Sequence, residues 1–194
     1  MTEDLVHYAV ESASAKKVQY AEARLHVDSG SAVTLNNGVP EPVQLAREKG
    51  IAVRVLVDGA MAFASTNDLS KTSLDKTIET AYRTAKASKR LLSKPIRLSQ
   101  EKAEQAEWKT ETRKSLLDLS TEEKFAILEE IEKTVQPGVV NVALPSRILI
   151  LGDNISERYF ANTEGANIHL CKSLSGSSWF CLPCRCFIDV VDER

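Results

Sequence analysis

The sequence predicts an α+β fold: a mostly antiparallel, twisted sheet built of hairpins and packed against two or three helices. Three observations predict it. Ile51, Val53, Val55 and Val57 alternate with Ala52, Arg54, Leu56 and Asp58, the period-two signal of a strand, and Asp58-Gly59 suits a two-residue turn into a return over 60–66. Asn37-Gly38 is a second hairpin signal of the same kind. Helical spacing of apolar residues follows Ser70–Ser73 and again follows Ser120-Thr121-Glu122-Glu123, a capping-box pattern.

The 58–59 turn places Val57 opposite Ala60, Val55 opposite Ala62 and Val53 opposite Ala64. One face then pairs large side chains with small ones. That leaves room for the helix beginning near Ser73 to lie close.

In chain order, Thr2 is a candidate cap for a first helix. Its apolar stripe is Leu5, Val6, Ala9, Val10 and Ala13, and Lys16 and Lys17 suit its C-terminal end. Tyr20 to Asp28 reads as a strand, with Ala21, Ala23, Leu25 and Val27 on one face and Glu22, Arg24 and His26 on the other. Ser29-Gly30 reads as a turn, with 31–36 returning. After Asn37-Gly38, Val39, Glu41 and Val43 bond inward while Pro40 and Pro42 face outward, as on an edge strand. The 50–66 hairpin then joins the sheet elsewhere, beside the first strand. The competing arrangement pairs 43–47 with 50–54.

The second helix runs to about Leu91, carrying Leu74, Ile78, Ala81, Ala85 and Leu92, and ends before Pro95. Residues 93–119 are polar and read as a connector with two helical turns around Glu101 to Trp108. The third helix carries Phe125, Leu128, Ile131 and Val135 and stops at Pro137-Gly138. Strands are expected at 139–144, 147–151, 155–161 and 166–170, with Asn162-Thr163-Glu164-Gly165 as the last turn. The order of elements suggests a loose repeat of one α+β unit. The domain reading is 1–92, a connector over 93–119, 120–170 as part of the same N-terminal domain, and an atypical tail over 171–194.

A chain of 194 residues can bury a core as one domain or slightly more. Its formal charge of −2 is too small to attract polyanions in bulk, and 43% hydrophobic with 27% charged residues is a globular composition. The N-terminus MTEDLVHYAV lacks the apolar core of a secretory signal, and no run reaches a membrane span, so a cytoplasmic location is expected. Cys171, Cys181, Cys184 and Cys186 all follow residue 170, unlike a disulfide framework spread across a fold.

Candidate chemistry is sparse. His7, His26 and His169 are far apart, without the spacing of a zinc helix, and read as ordinary surface or strand histidines. No GxSxG elbow and no phosphate loop are present; Gly50 and Gly59 read as turn glycines. Cys181-Leu-Pro-Cys184-Arg-Cys186 has the CxxC spacing of zinc ligands, with Cys171 or His169 to complete a tetrahedron, or of a redox pair, but a second CxxC and a thioredoxin-like βαβ pattern are both missing. Arg83, Lys86, Lys89 and Arg90, with Lys94 and Arg97 after them, make a basic helix face with only Tyr82 as an aromatic. That reads as a solvated face rather than a nucleic-acid patch. These readings assign no catalytic, cofactor-binding or metal-binding residue.

The segments AEARL (21–25), NNG (36–38), GIAVRVLVDGAMAFASTNDLS (50–70) and YFANTEG (159–165) resemble the N-terminal region of the TldD/PmbA family. These are zinc metallopeptidases once named modulators of DNA gyrase. The resemblance spans about residues 5–170. It implies a longer whole protein whose zinc is held by an HExxxH helix and a later cysteine, neither of which corresponds to any position here. It therefore implies no cofactor in this chain and zinc in the full-length family protein. It also implies a peptide or unfolded-protein substrate, a homo- or heterodimer with a family partner, and no nucleic acid or membrane. The expected function is a substrate-chamber and assembly domain, inactive alone. The alternatives are a non-catalytic binding or dimerisation module and a small zinc-binding regulator using the C-terminal cysteines. The resemblance fades after about His169, where the composition also changes, so the tail is expected to come from a truncated or frame-shifted reading frame.

Overall fold

The computed structural model describes residues 3–99, 102–110, 118–135, 146–182 and 186–191. They form α1 (Glu3–Ser14), β1 (Tyr20–Asn36), β2 (Val39–Pro40), β3 (Gln44–Val57), β4 (Ala60–Thr66), α2 (Lys71–Ser88), β5 (Gln105–Lys109), α3 (Thr121–Val135), β6 (Ser146–Asn162), β7 (Asn167–Leu182) and β8 (Cys186–Val191). The architecture is α+β, as expected. The chain divides into two compact units, and β1, β3, β6 and β7 contribute residues to both.

The first unit comprises Met1–Val27, Glu48–Lys109 and Ser156–Cys171. Its strands lie in the order β4-β3-β1-β6-β7-β5. The β3–β4 register has the expected pairs Val57↔Ala60, Val55↔Ala62 and Val53↔Ala64, and Asp58 and Gly59 both take positive φ. β3 lies beside β1, as expected, and α2 packs on β4 and α1. Val6, Ala9 and Ala13 of α1, Ala21, Ala23 and Leu25 of β1, the β3 valines, and Leu74, Ile78, Ala81 and Ala85 of α2 share one buried cluster. Each large aliphatic side chain removed from water there contributes about 1.5–3 kcal/mol. Ser70 caps α2 by accepting from the Ser73 amide at 3.2 Å. The Asn162–Gly165 turn also forms, with Asn162 Oδ1 accepting from the Glu164 and Ala166 amides.

Two expectations fail in this unit. Helix α1 ends at Ser14 with no basic residue in its last turn, and Lys17 sits at φ +56, just past the helix. Thr2 lies outside the described residues. Around Glu101 to Trp108 the chain is not helical: Gln105–Lys109 is a strand, paired in parallel with Asn167–Cys171 of β7. The open backbone of β7 supplies hydrogen-bond partners that outweigh a weak local preference for helix.

The second unit comprises Asp28–Arg47, Thr110–Ile155 and Lys172–Arg194. Val33, Leu35, Leu149 and Leu151 of the strands meet Leu128 of α3, with Phe125 and Ile131 packed against them. The capping box forms: the Ser120 amide donates to Glu123 Oε2 at 2.7 Å, and the Glu123 amide to Ser120 Oγ at 3.2 Å. Asn37-Gly38 is the expected turn, with Asn36↔Val39 beside it, and Glu41 N–H bonds inward to Thr34 O at 2.9 Å. The competing 43–47 with 50–54 pairing does not form, because β3 runs unbroken through Gly50.

Three further readings are corrected. Ser29-Gly30 is not a turn: β1 is continuous, and a Cβ on Gly30 would overlap the Asp153 carbonyl oxygen. The glycine serves close strand approach, not a positive φ. Residues 147–151 and 155–161 belong to one strand, β6, rather than two. The change of composition after Leu170 is not a break in the fold, since β7 continues to Leu182 and pairs antiparallel with β8, Cys181 opposite Cys186. Cys184, the expected strand at 139–144 and the Pro137-Gly138 stop lie outside the described residues.

Candidate functional site

The first unit's helices cover one face of its sheet. Side chains alternate along a strand, so Ala21, Ala23 and Leu25 turn toward the helices and Tyr20, Glu22 and Arg24 toward the other face. On that face Glu22 is a buried charge, its side chain 4% exposed. Its carboxylate accepts from the Tyr20 hydroxyl at 2.7 Å, Arg24 Nε at 3.0 Å and Arg54 Nη2 at 2.7 Å. Asn162 Nδ2 donates to the Tyr20 oxygen at 3.4 Å, and the Arg24 guanidinium sits 5.2 Å from the Phe160 ring centre. Arg54 pairs in register with Phe63, which is 68% exposed. Arg54 Nε is buried without a hydrogen-bond partner.

The electrostatics follow from this packing. Burial by itself would raise the Glu22 pKa, but hydrogen bonds from Arg54 and Tyr20 and the charges of both arginines outweigh it, and the pKa falls. Burial, then the bond to Glu22, raises that of Tyr20. The hydrogen bond to Glu22 outweighs desolvation and raises that of Arg54. Two guanidiniums thus share one carboxylate. The cluster holds a surplus positive charge and outward-facing donors, an arrangement suited to binding an anion. It contains no nucleophile paired with a base.

A second polar cluster lies in the other unit. Lys124 Nζ is 2.5 Å from Asp153 Oδ2 and 2.9 Å from Ser31 Oγ, and the serine donates to the same carboxylate oxygen at 2.7 Å. Asp153 Oδ1 is buried without a hydrogen-bond partner. Lys124, Asp153 and Ser31 border a 580 Å³ groove with Leu45 and Arg47. Lys124 Nζ donates to both the carboxylate and the serine oxygen, so it is not placed to accept the serine proton. Nearby, Arg147 pairs with Glu132 at 2.7 Å.

Of the residues weighed for chemistry in the sequence, Cys181 and Cys186 stand opposite each other on β7 and β8, and Cys184 lies outside the described residues. His7 lies 3.8 Å from Glu3 on α1, and His26 is exposed on β1. His169 stacks on Tyr159 with ring centres 4.3 Å apart, 3.5 Å from Glu107. Cys171 is a free thiol opposite Lys109. Among the described residues no three His, Cys, Asp or Glu side chains converge as metal ligands. Two of the basic residues on and after α2 are ion-paired: Arg83 meets Glu79 at 2.5 Å and Lys89 meets Asp58 at 3.0 Å. No helix among the described residues is long and apolar enough to cross a membrane.

Sequence reasoning placed Glu22 and Arg24 on the outer face but did not bring Arg54 to them. It overlooked Lys124 and Glu132, though both lie four residues from Leu128 and so share its buried helix face.

Comparison with known proteins follows the same outline. Residues 21–85 match the model of PmbA/TldA metallopeptidase domain 1. A metalloprotease from Methanocaldococcus jannaschii is 28% identical over 149 residues, 77% of this chain and 32% of that protein. A Bacteroides thetaiotaomicron protein labelled a DNA gyrase modulator superposes with a TM-score of 0.74 at 18% identity, over 97% of this chain and 43% of its own. TldE from Thermococcus kodakarensis superposes at 0.62 with 13% identity, over 98% and 41% of the two chains. The chain thus spans 32% of the curated relative and about two-fifths of these solved chains.

Proposed function

We propose that this chain, a TldD/PmbA-type N-terminal domain over the matched residues, serves as the substrate-holding and assembly part of a zinc metallopeptidase. Cleavage would be carried by a segment outside it. The observation that carries this reading is the match of residues 21–85 to the family's first domain, in a chain spanning 32% of a metalloprotease relative. The geometry supports it. On the helix-free face of the first unit Glu22 holds Tyr20, Arg24 and Arg54 in place, leaving guanidinium groups available to a bound chain.

The test is turnover and assembly by the 194-residue chain. Purified with added zinc, it is expected to leave a casein substrate uncut, with or without chelator. Light scattering after mixing with a TldD-type partner is expected to show a defined dimer. Chelator-sensitive cleavage by the chain alone overturns the reading.

A further inference from the structure

We infer that the helix-free sheet face of the first unit is a docking site for an extended peptide carrying a carboxylate beside an apolar side chain. This deepens the substrate-holding reading and rests on it. Arg54 and Arg24 are already oriented by Glu22, and Phe160 braces Arg24 from the side. Little side-chain entropy is then lost when they take a second carboxylate. Glu22 engages Arg24 through Nε and Arg54 through Nη2. The remaining Nη groups of both guanidiniums can meet a carboxylate in the paired geometry that favours arginine. Arg158 lies on β6 two residues before Phe160, and strand alternation sets it on the same face, so positive charge prevails there. Phe63, exposed and in register with Arg54, offers an apolar contact immediately beside the anion position.

The same combination of arginine and aromatic rings could stack single-stranded nucleic acid. The fixed Glu22 carboxylate at the centre of the patch argues against a phosphate chain, because it repels successive phosphates while tolerating one carboxylate between two guanidiniums.

The experiment uses the full chain and a fluorescein-labelled extended peptide with Leu-Asp-Leu at its centre, followed by anisotropy. The Asp peptide is expected to bind about tenfold more tightly than its Asn counterpart. Arg24→Gln and Phe63→Ala, both at exposed side chains, are each expected to weaken it about three- to tenfold with unchanged circular dichroism, Phe63→Ala also with unchanged melting, since Arg24 helps compensate the buried Glu22. Equal binding of the Asp and Asn peptides, insensitivity to both variants, absence of saturation, or displacement by oligothymidylate overturns the inference. Any of these failures leaves the turnover and assembly test untouched, so the two readings fail separately.

Discussion

Arg54 Nη2 reaches Glu22 Oε2 at 2.7 Å from the neighbouring strand, and the carboxylate it meets is nearly sealed from solvent. Neither residue is remarkable in its own stretch of sequence. Together they make a buried charge that depends on the fold for its partners.

The pair makes stability depend on pH. The Glu22 pKa is lowered in the folded chain, so the carboxylate binds its proton less readily there than in the unfolded chain. Its contribution is therefore fully present above the ordinary glutamate value of 4.5 and is lost as pH falls through the lower folded value. Urea unfolding of the native chain and of Glu22→Gln is expected to show a stability gap at pH 7 that narrows below about pH 4.5. A gap that stays constant to pH 3 contradicts this account.

Lys124→Met should be costly. It strands the Asp153 carboxylate, 3% exposed, with Ser31 alone, and such a break costs about 3–5 kcal/mol. The double change Lys124→Met/Asp153→Leu removes both charges and should recover most of that loss. Chemical denaturation of the three proteins measures the coupling, and additive losses would show that the pair does not act as a unit.

Gly30→Ala places a methyl against the Asp153 carbonyl oxygen, which is backbone and cannot swing aside. A destabilisation of about 1–3 kcal/mol is expected, read from the denaturation midpoint. Ser29→Ala, one residue earlier, serves as the comparison and should cost less than Gly30→Ala.

Ser70→Ala removes the side-chain acceptor for the Ser73 amide at the start of α2. The loss should be about 1 kcal/mol, or about 2–4 °C in melting temperature. Ser70→Asp should retain the cap and melt near the native chain.

Much of this fold was legible because the relevant signals are short. Asp58-Gly59 dictates both the turn and the register behind it, so Val53↔Ala64 follows from counting. Ser120 and Glu123 close their capping box within one helical turn. The misread places are those where a distant segment decides. Residues 105–109 became a strand because β7 was open beside them, and Ser29-Gly30 stayed straight because β6 lay close.

By itself, then, the sequence determined the α+β class, the two tight hairpins, the three helices and the capping box of α3, since each depends on φ preferences and side-chain spacing within a few residues. Only the tertiary structure decided how far the strands run, that Gly176–Cys181 pairs with Cys186–Val191, and that Glu22 meets Arg54 and Lys124 meets Asp153. The reason is physical: a strand's length and a buried charge's partner are set by hydrogen-bonding groups that arrive from far along the chain, and no local pattern encodes them.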